Sequence, residues 1–331
     1  MKKKIAFLAT GGTIASAQGP EGLRPAFTER EMIELVPGLS DIADIEGGLI
    51  MNIDSSNMQP EDWRVIARRT LDALKACDGV VISHGTDTMA YTSAALTYML
   101  AYLKKPVVIT GAQRPIGQKI SDAAGNLLDG FKVAASGVPG VFLVFNGDII
   151  LGDRATKLKT KSFDAFCSVN APPAGNVDER GVEWNDAALE RERRRIVRVW
   201  GLEGDTGDAG PAVLCDRLDP RVLLVKLYPG IEPEVLLLAK EKGYHSVLIE
   251  SFGSGGMPFR EPRNLLPAIE ELIASGITVA VTTQVPFEGV DLSLYEVGRR
   301  ALKAGAVPAG DLTREAALVR LMMKIPLYHG E

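Results

Sequence analysis

The chain has 331 residues, enough for two domains or one large one, and the apolar and charged fractions of an ordinary soluble protein. A net charge of −5 excludes a general attraction to nucleic acid or anionic lipid, and no stretch reaches the roughly 18 apolar residues of a membrane span. Three cysteines without CxxC read as free thiols of a reducing compartment, and three histidines without HExxH leave no support for a zinc site, so neither a metal nor a cofactor is expected.

Residues 5–9 form a first buried strand that runs into Gly11 and Gly12, with Thr13 just past the turn. The apolar run after Met-Lys-Lys-Lys is too short for a secretory leader and meets Gly-Gly-Thr instead of a cleavage site, so a cytoplasmic location is expected. Residues 17–26, rich in Gly, Pro and polar side chains, read as a loop that could close over Thr13 as a lid. Thr28 to Glu31 has the form of a capping box and opens a helix to about residue 36. A strand over 49–53 ends in the polar cluster Asp54-Ser55-Ser56-Asn57; Pro60 then begins a helix that continues over 63–74.

The stretch over 78–105 is the most informative. Val80, Val81 and Ile82 read as a buried parallel strand, and 89–103 as a helix of about four turns. Between them lie Ser83-His84-Gly85-Thr86-Asp87-Thr88, polar residues at a strand's carboxyl end, where open α/β sheets bind ligands. Thr86 or Asp87 would equally serve as a helix cap. Further strands follow over 106–110 and 141–145, a helix over 121–135, and an Asn146-Gly147 hairpin turn into 149–151.

The mixed charge run over 190–195 reads as a solvated face or an edge strand, and the Gly- and Asp-rich run over 203–211 as a linker. Strands over 223–225, 246–249 and 278–281 then alternate with helices over 232–241, 265–274, 293–304 and 314–324. The predicted fold is two doubly wound α/β domains. The larger N-terminal one spans 1–185, with a mostly parallel sheet and an antiparallel edge hairpin. A linker covers 186–212, and a smaller Rossmann-like C-terminal domain covers 213–331.

Two threonines, Thr13 and Thr86, thus stand at strand ends that a doubly wound sheet can bring side by side. Neither stretch is a dinucleotide or P-loop fingerprint. TGGTIAS at 10–16 and HGTDTM at 84–89 resemble the paired signatures of the bacterial-type L-asparaginases. DSSNM at 54–58, TGAQRP at 110–115, RATK at 154–157 and ESFGSGGMP at 250–258 follow in the family's order. The resemblance covers essentially the whole chain and, with no leader peptide legible, points to the cytosolic (type I) branch.

Hydrolysis of an amide side chain needs an activated nucleophile, an oxyanion hole and a proton for departing ammonia. The resemblance implies Thr13 as a nucleophile that forms an acyl-enzyme, and Thr86, Asp87 and Lys157 as a second threonine-centred group. It implies backbone N–H groups near Gly12 and Thr86 for the oxyanion, and the Ala112 carbonyl for the amide nitrogen. A zwitterionic substrate needs an acceptor for its ammonium, offered by Asp87, and donors for its carboxylate, offered by Ser55, Ser56 and the backbone at Gly85, with Asp54 completing the cluster. The expected substrate is the small molecule L-asparagine, with L-glutamine as the second amide. The expected assembly is a homo-oligomer, a dimer or dimer of dimers, in which a neighbouring subunit supplies Tyr295 or Glu288; no nucleic-acid or membrane partner is expected.

Leu23 stands where many relatives carry a lid tyrosine, and Val285 where some cytosolic relatives carry an effector-binding cysteine. The first removes the usual hydroxyl relay to Thr13; the second removes support for allosteric control. Read singly, Ser55 and Ser56 fit a turn or cap, and Lys157 with Lys159 and Lys161 fits a solvated strand face. Two other readings stay open: an amide-sensing protein without turnover, and a glutaminase or transfer-RNA amidotransferase-type amidohydrolase, of which the amidotransferase component shares these motifs but usually carries an extra N-terminal domain.

Overall fold

The structure is a computed structural model. It describes residues 2–19, 22–25, 27–200 and 212–327, with backbone alone at 17–19 and 22–25. Two compact units, Met1–Asp216 and Arg217–Glu331, divide the chain.

The first unit is built on an eight-stranded sheet. Its spatial order is Gly181–Trp184, Gly175–Asp178, Asp148–Leu151, Gly140–Phe145, Pro106–Thr110, Gly79–Ser83, Lys3–Gly11 and Ala43–Ile53. The five strands from Gly140–Phe145 to Ala43–Ile53 pair in parallel and the remaining three antiparallel. The central strands are Val- and Ile-rich and buried on both faces, as parallel strands covered by helices must be. Phe7, Val81 and Val108 point to one face, against the helix Ala123–Ser136, where Phe7 and Phe131 pack with ring centroids 5.6 Å apart. The helix Met89–Met99 is buried almost all round, which its run of Ala, Ser and Thr permits. The hairpin turns on Asn146 and Gly147 with φ of 52° and 81°, the paired positive φ values that a two-residue hairpin loop requires; it is not at the edge as expected, because Gly175–Asp178 pairs on the far side of Asp148–Leu151.

Four further local expectations change in this first unit. The helix expected over 89–103 ends at Met99, because Leu100–Ala101 leaves helical geometry to pair antiparallel with Val213–Leu214. The strand expected over 49–53 starts at Ala43: its first half is poor in strand formers and is held extended by parallel pairing to Lys3–Gly11. In the stretch 17–26, expected as a loop, the described backbone pairs as two short antiparallel strands, Ser16–Gly19 and Gly22–Pro25, with Leu23 opposite Gln18. The Leu23 side chain, and with it the lid reading, lies outside the described residues.

The fourth concerns the charge run over 190–195, expected as a solvated face or an edge strand: it is a solvated face, carried on a helix and not on an edge strand. It lies in a helix, Asp186–Val199, whose first turn is capped by Asn185 Oδ1 accepting from Ala188 N at 3.1 Å. Ala188 and Leu189 are buried, and Arg195 turns inward to pair with Glu192 and with the buried Asp153, which also accepts from Tyr98. The run is charged because most of the helix faces water; one arginine is drawn inside because two carboxylates wait there. Residues 201–211 of the expected linker lie outside the described residues.

The second unit carries a four-stranded parallel sheet in the order Val222–Lys226, Ser246–Ser251, Thr278–Thr283, Val307–Pro308. Its helix expected from residue 293 begins instead at Glu296. Asp291 Oδ1 accepts from both Ser293 N and Ser293 Oγ, at 2.8 and 2.7 Å, and so closes a turn ahead of the helix. Among the described residues no helix is long and apolar enough to cross a membrane.

One close approach at the carboxyl edge of the large sheet decides where the motifs lie. Gly12 has φ of 83°, and a Cβ there would sit 2.4 Å from Gly85 Cα; a Cβ on Gly85 would sit 2.4 Å from Ser55 Oγ. Backbone meets backbone at Gly12, so there is no side chain that could move away. Gly12→Ala is therefore expected to lower the unfolding free energy by ~3 kcal/mol or more, through clash and strained φ together, as read by urea denaturation.

Candidate active site

The site is assembled from the ends of four adjacent parallel strands. Gly12 N donates to Ile53 O at 3.0 Å, Thr10 Oγ1 to Ser83 O at 2.9 Å, and His84 N to Thr110 O at 2.8 Å. These bonds stitch the segments after each strand to one another. Thr13 opens a short 3₁₀ turn, Thr13–Ala15, and is half-buried. Ser16 Oγ closes that turn by donating to Gly12 O at 2.9 Å.

Within the segment 83–88, polar side-chain contacts hold His84, Thr86, Asp87 and Thr88, while the buried Ser83 Oγ has no partner among the described residues. His84 is fully buried: Nδ1 faces Gly85 O at 2.7 Å and Nε2 faces Thr92 Oγ1 at 2.9 Å. Trp63 Nε1 donates to that same hydroxyl at 3.1 Å, so the Thr92 proton goes to Nε2 and the ring is the neutral Nδ1–H tautomer. Burial agrees, depressing the His84 pKa to about 4. Neither Thr86 nor Asp87 caps the following helix. The cap position is Thr88, whose hydroxyl is turned away to donate to Ser55 O at 2.7 Å. The two preceding side chains are thereby left for other partners.

Those partners converge. Lys157, on the short strand Ala155–Lys157, donates from Nζ to Thr86 Oγ1 at 2.8 Å and to Asp87 Oδ1 at 2.7 Å. The Lys157 side chain is 16% exposed and that of Asp87 65%, so the ammonium is drawn inward while the carboxylate looks out. Lys159 and Lys161 are both exposed, and Lys159 pairs with Asp164. The strand ends at Lys157, and the two lysines beyond it lie in the solvated turn that follows.

Thr86, Asp87 and Lys157 are brought together, and Thr13 follows the glycine that touches Gly85. Ser55 is buried against Gly85, and Ala112 is fully buried two residues past the end of its strand. Asp54 Oδ1 accepts from Ser56 N and Ser56 Oγ at 2.8 and 2.7 Å, which holds the Asp54 carboxyl below the usual carboxylate range. The Ser56 hydroxyl proton is therefore engaged, which leaves Ser55 and the backbone as the freer donors. Tyr295 and Glu288 stand on exposed turns of the second unit, Tyr295 60% exposed and Glu288 with φ of 76°. A cavity of about 740 Å³, lined in part by Phe142, Leu189 and Trp200, contains none of these residues. Among the described residues no cluster of His, Cys, Asp or Glu could hold a metal ion.

Three features escape the sequence reading. His84 and Thr92 stand eight apart across a loop and a helix, and Trp63 twenty-nine before Thr92, a triple that no periodicity signals. Gln113 lies inside TGAQRP, yet only its position shows that it touches Thr86, at 3.2 Å. The cap role of Thr88 is hidden because two better-placed candidates precede it.

The His84 pKa has a consequence for stability. The unfolded chain takes up this proton near pH 6.5 and the folded chain near pH 4, so protonation favours unfolding. Stability contributed by neutral His84 is full above pH 6.5 and falls as pH drops toward 4, by about 3 kcal/mol. Urea titrations at pH 7 and pH 4.5 are expected to show a smaller loss in His84→Gln than in the parent.

Comparison with known proteins is consistent across sequence and structure. The family profile described as "Asparaginase, N-terminal" matches residues 4–190, and that described as "Glutaminase/Asparaginase C-terminal domain" matches residues 221–326. An L-asparaginase of Thermococcus kodakarensis is 41% identical over 321 residues, covering 96% of this chain and 92% of that one. The solved thermostable L-asparaginase from the same organism superposes with a TM-score of 0.84 at 38% identity, over 97% of this chain and 92% of its own. L-asparaginase I from Vibrio cholerae superposes with a TM-score of 0.82 at 29% identity, over 98% and 93%. A glutamyl-tRNA(Gln) amidotransferase component of Pyrococcus furiosus is 38% identical over 333 residues, covering 96% of this chain and 71% of that relative. With both profiles matched in order and the asparaginases aligned nearly end to end, the chain belongs to the asparaginase family.

Proposed function

We propose that the protein hydrolyses L-asparagine to L-aspartate and ammonia through a threonine acyl-enzyme. The observation that carries this reading is the contact of Lys157 with both Thr86 and Asp87 at the strand end that Gly12 touches. Thr13 Oγ attacks the amide carbon, and the oxyanion is held by backbone N–H groups near Gly12 and Thr86. Lys157, deprotonated, takes a proton through Thr86, and Asp87 stabilises the ammonium that results. The proton taken from Thr13 passes from Lys157 to the nitrogen as the C–N bond breaks, so ammonia leaves, and water then cleaves the Thr13 ester to release aspartate. Asp87, largely exposed, is placed to receive the substrate ammonium as well; Ser55 and the backbone at Gly85 serve its carboxylate, and the Ala112 carbonyl receives the amide nitrogen.

Homo-oligomers are part of the proposal. Phe287, Leu294 and Tyr295 are all close to half exposed or more on neighbouring turns of the second unit, a surface suited to contact with another copy. Tyr295 or Glu288 of that copy would then complete the site.

The decisive assay is ammonia release from L-asparagine and from L-glutamine. Release from L-asparagine supports the proposal. Release from L-glutamine alone favours the glutaminase reading that the amidotransferase relatives raise, and release from neither favours a sensing protein. Thr13→Ala is expected to reduce kcat by roughly 10³-fold or more while leaving the thermal transition in place. A variant that keeps a tenth of the parental rate would remove Thr13 as nucleophile.

The lysines provide a second check. Lys157→Met should abolish turnover at every pH, whereas Lys159→Met and Lys161→Met should stay within a few-fold of the parent, since only Lys157 reaches Thr86. Equal losses in all three would reduce Lys157 to part of a basic strand face.

A further inference from the structure

Gln113 bridges the two halves of the Thr86–Lys157 arrangement. Its Nε2 faces two carbonyl oxygens, Ser162 O at 3.1 Å and Lys159 O at 3.3 Å. Carbonyls accept only, so the amide is fixed with Nε2 toward them and Oε1 toward Thr86. The Gln113 backbone is held in turn, its N–H donating to Asp122 Oδ2 at 2.9 Å. An amide oxygen cannot donate, so the 3.2 Å contact with Thr86 Oγ1 has the hydroxyl as donor. A hydroxyl has one proton. Toward Lys157, 2.8 Å away, Thr86 is therefore an acceptor, and Lys157 supplies the hydrogen.

We propose that Gln113 is a positioning residue that sets the direction of the hydrogen bonds Lys157 to Thr86 to Gln113, and so decides when Lys157 can accept a proton from Thr86. The proposal rests on the Thr86–Lys157 roles given above. Proton transfer to Lys157 requires the Thr86 O–H to swing from Gln113 Oε1 to the amine; the O–H bond of Thr86 breaks, an N–H bond forms, and the contact with Gln113 is given up. Gln113 thus favours the ammonium form of Lys157. The other charged groups facing this arrangement are Asp87, bonded to Lys157; Asp122, beneath the Gln113 backbone; and the Lys159–Asp164 pair on the turn that Nε2 holds. Asp87 bonds to Lys157, Asp122 to the backbones of Gln113 and Arg114 and to Asn126 Nδ2, and Lys159 to Asp164, so Gln113 is the group that acts on the Thr86 proton.

Two substitutions of opposite sign test this. Gln113→Met keeps the length and removes the acceptor, so the Thr86 proton is free to turn toward Lys157. Gln113→Glu keeps an acceptor, strengthens it with charge and favours the ammonium. The acid limb of the kcat profile is expected to move down by about one pH unit in Gln113→Met and up by about one unit in Gln113→Glu, the scale of a single hydrogen bond. Competitive acetylation of Lys157 with acetic anhydride across the same pH range, read by peptide mass spectrometry, should show the same opposite displacements without any turnover. A residue that merely tethers the 159–162 turn would change KM or the thermal midpoint in both variants and leave both profiles where they were. Profiles that stay in place, or move the same way in the two variants, overturn the proposal. A parent protein that releases no ammonia would overturn the proposed function instead, and the labelling would still decide the role of Gln113.

Discussion

Two peptide segments touch at Gly12 and Gly85, and the arrangement of the candidate site depends on that contact. A side chain at Gly12 would force the turn after the first strand away from the segment after Gly79–Ser83, and one at Gly85 would drive out the Ser55 side chain. Because neither carries one, the residues that follow, Thr13 and Thr86, flank one point at the carboxyl edge of the sheet. Ser55 is packed against the same glycine from the next strand end, so three of the polar clusters share one small volume. The cost is a positive φ at Gly12, which glycine adopts without strain.

A contact between two bare backbones is held only if the surrounding chain cannot relax. Here the restraint is neutral and buried. Hydroxyls of Thr10 and Thr88 bond to backbone carbonyls of other strands' segments, and His84, Thr92 and Trp63 form a chain that leaves none of their facing polar atoms bare. Neutral hydrogen bonds can be buried without the desolvation cost that charges carry. The charged pair, Lys157 with Asp87, is placed at the rim, where the carboxylate stays in water and the ammonium is mostly covered. The rigid parts of the site are thus uncharged, and its charges sit where a ligand can reach them.

The reading of the chain from its residues was strongest where one physical rule acts alone. Val- and Ile-rich runs between turn signals marked all the central strands; Asn146-Gly147 marked the hairpin; Thr28 and Glu31 marked a capping box that forms in full. It was weakest where pairing with a distant segment overrides local preference. Leu100–Ala101 leaves its helix for Val213–Leu214, and residues 43–48 are extended only because the first strand lies beside them. The charge run over 190–195 carried no apolar stripe strong enough to announce a helix, since its inward anchor is an arginine paired with buried carboxylates.

For the candidate site, residue type and position drew attention to the two glycine-threonine turns at strand ends, and the resemblance of TGGTIAS, HGTDTM and RATK to the asparaginase signatures added Asp87 and Lys157, which by themselves read as a helix cap and a solvated strand face. Which of three alternate lysines turns inward, that Thr88 and not Asp87 occupies the cap position, that the Ser56 proton is held by Asp54, and that Gln113 stands against the Thr86 hydroxyl were decided by the tertiary structure. The reason is geometric. A side chain's chemistry is written in its own identity, but its hydrogen-bond partner at this site can lie as far as 73 residues away, as for Thr10 and Ser83, and only folding brings those within reach.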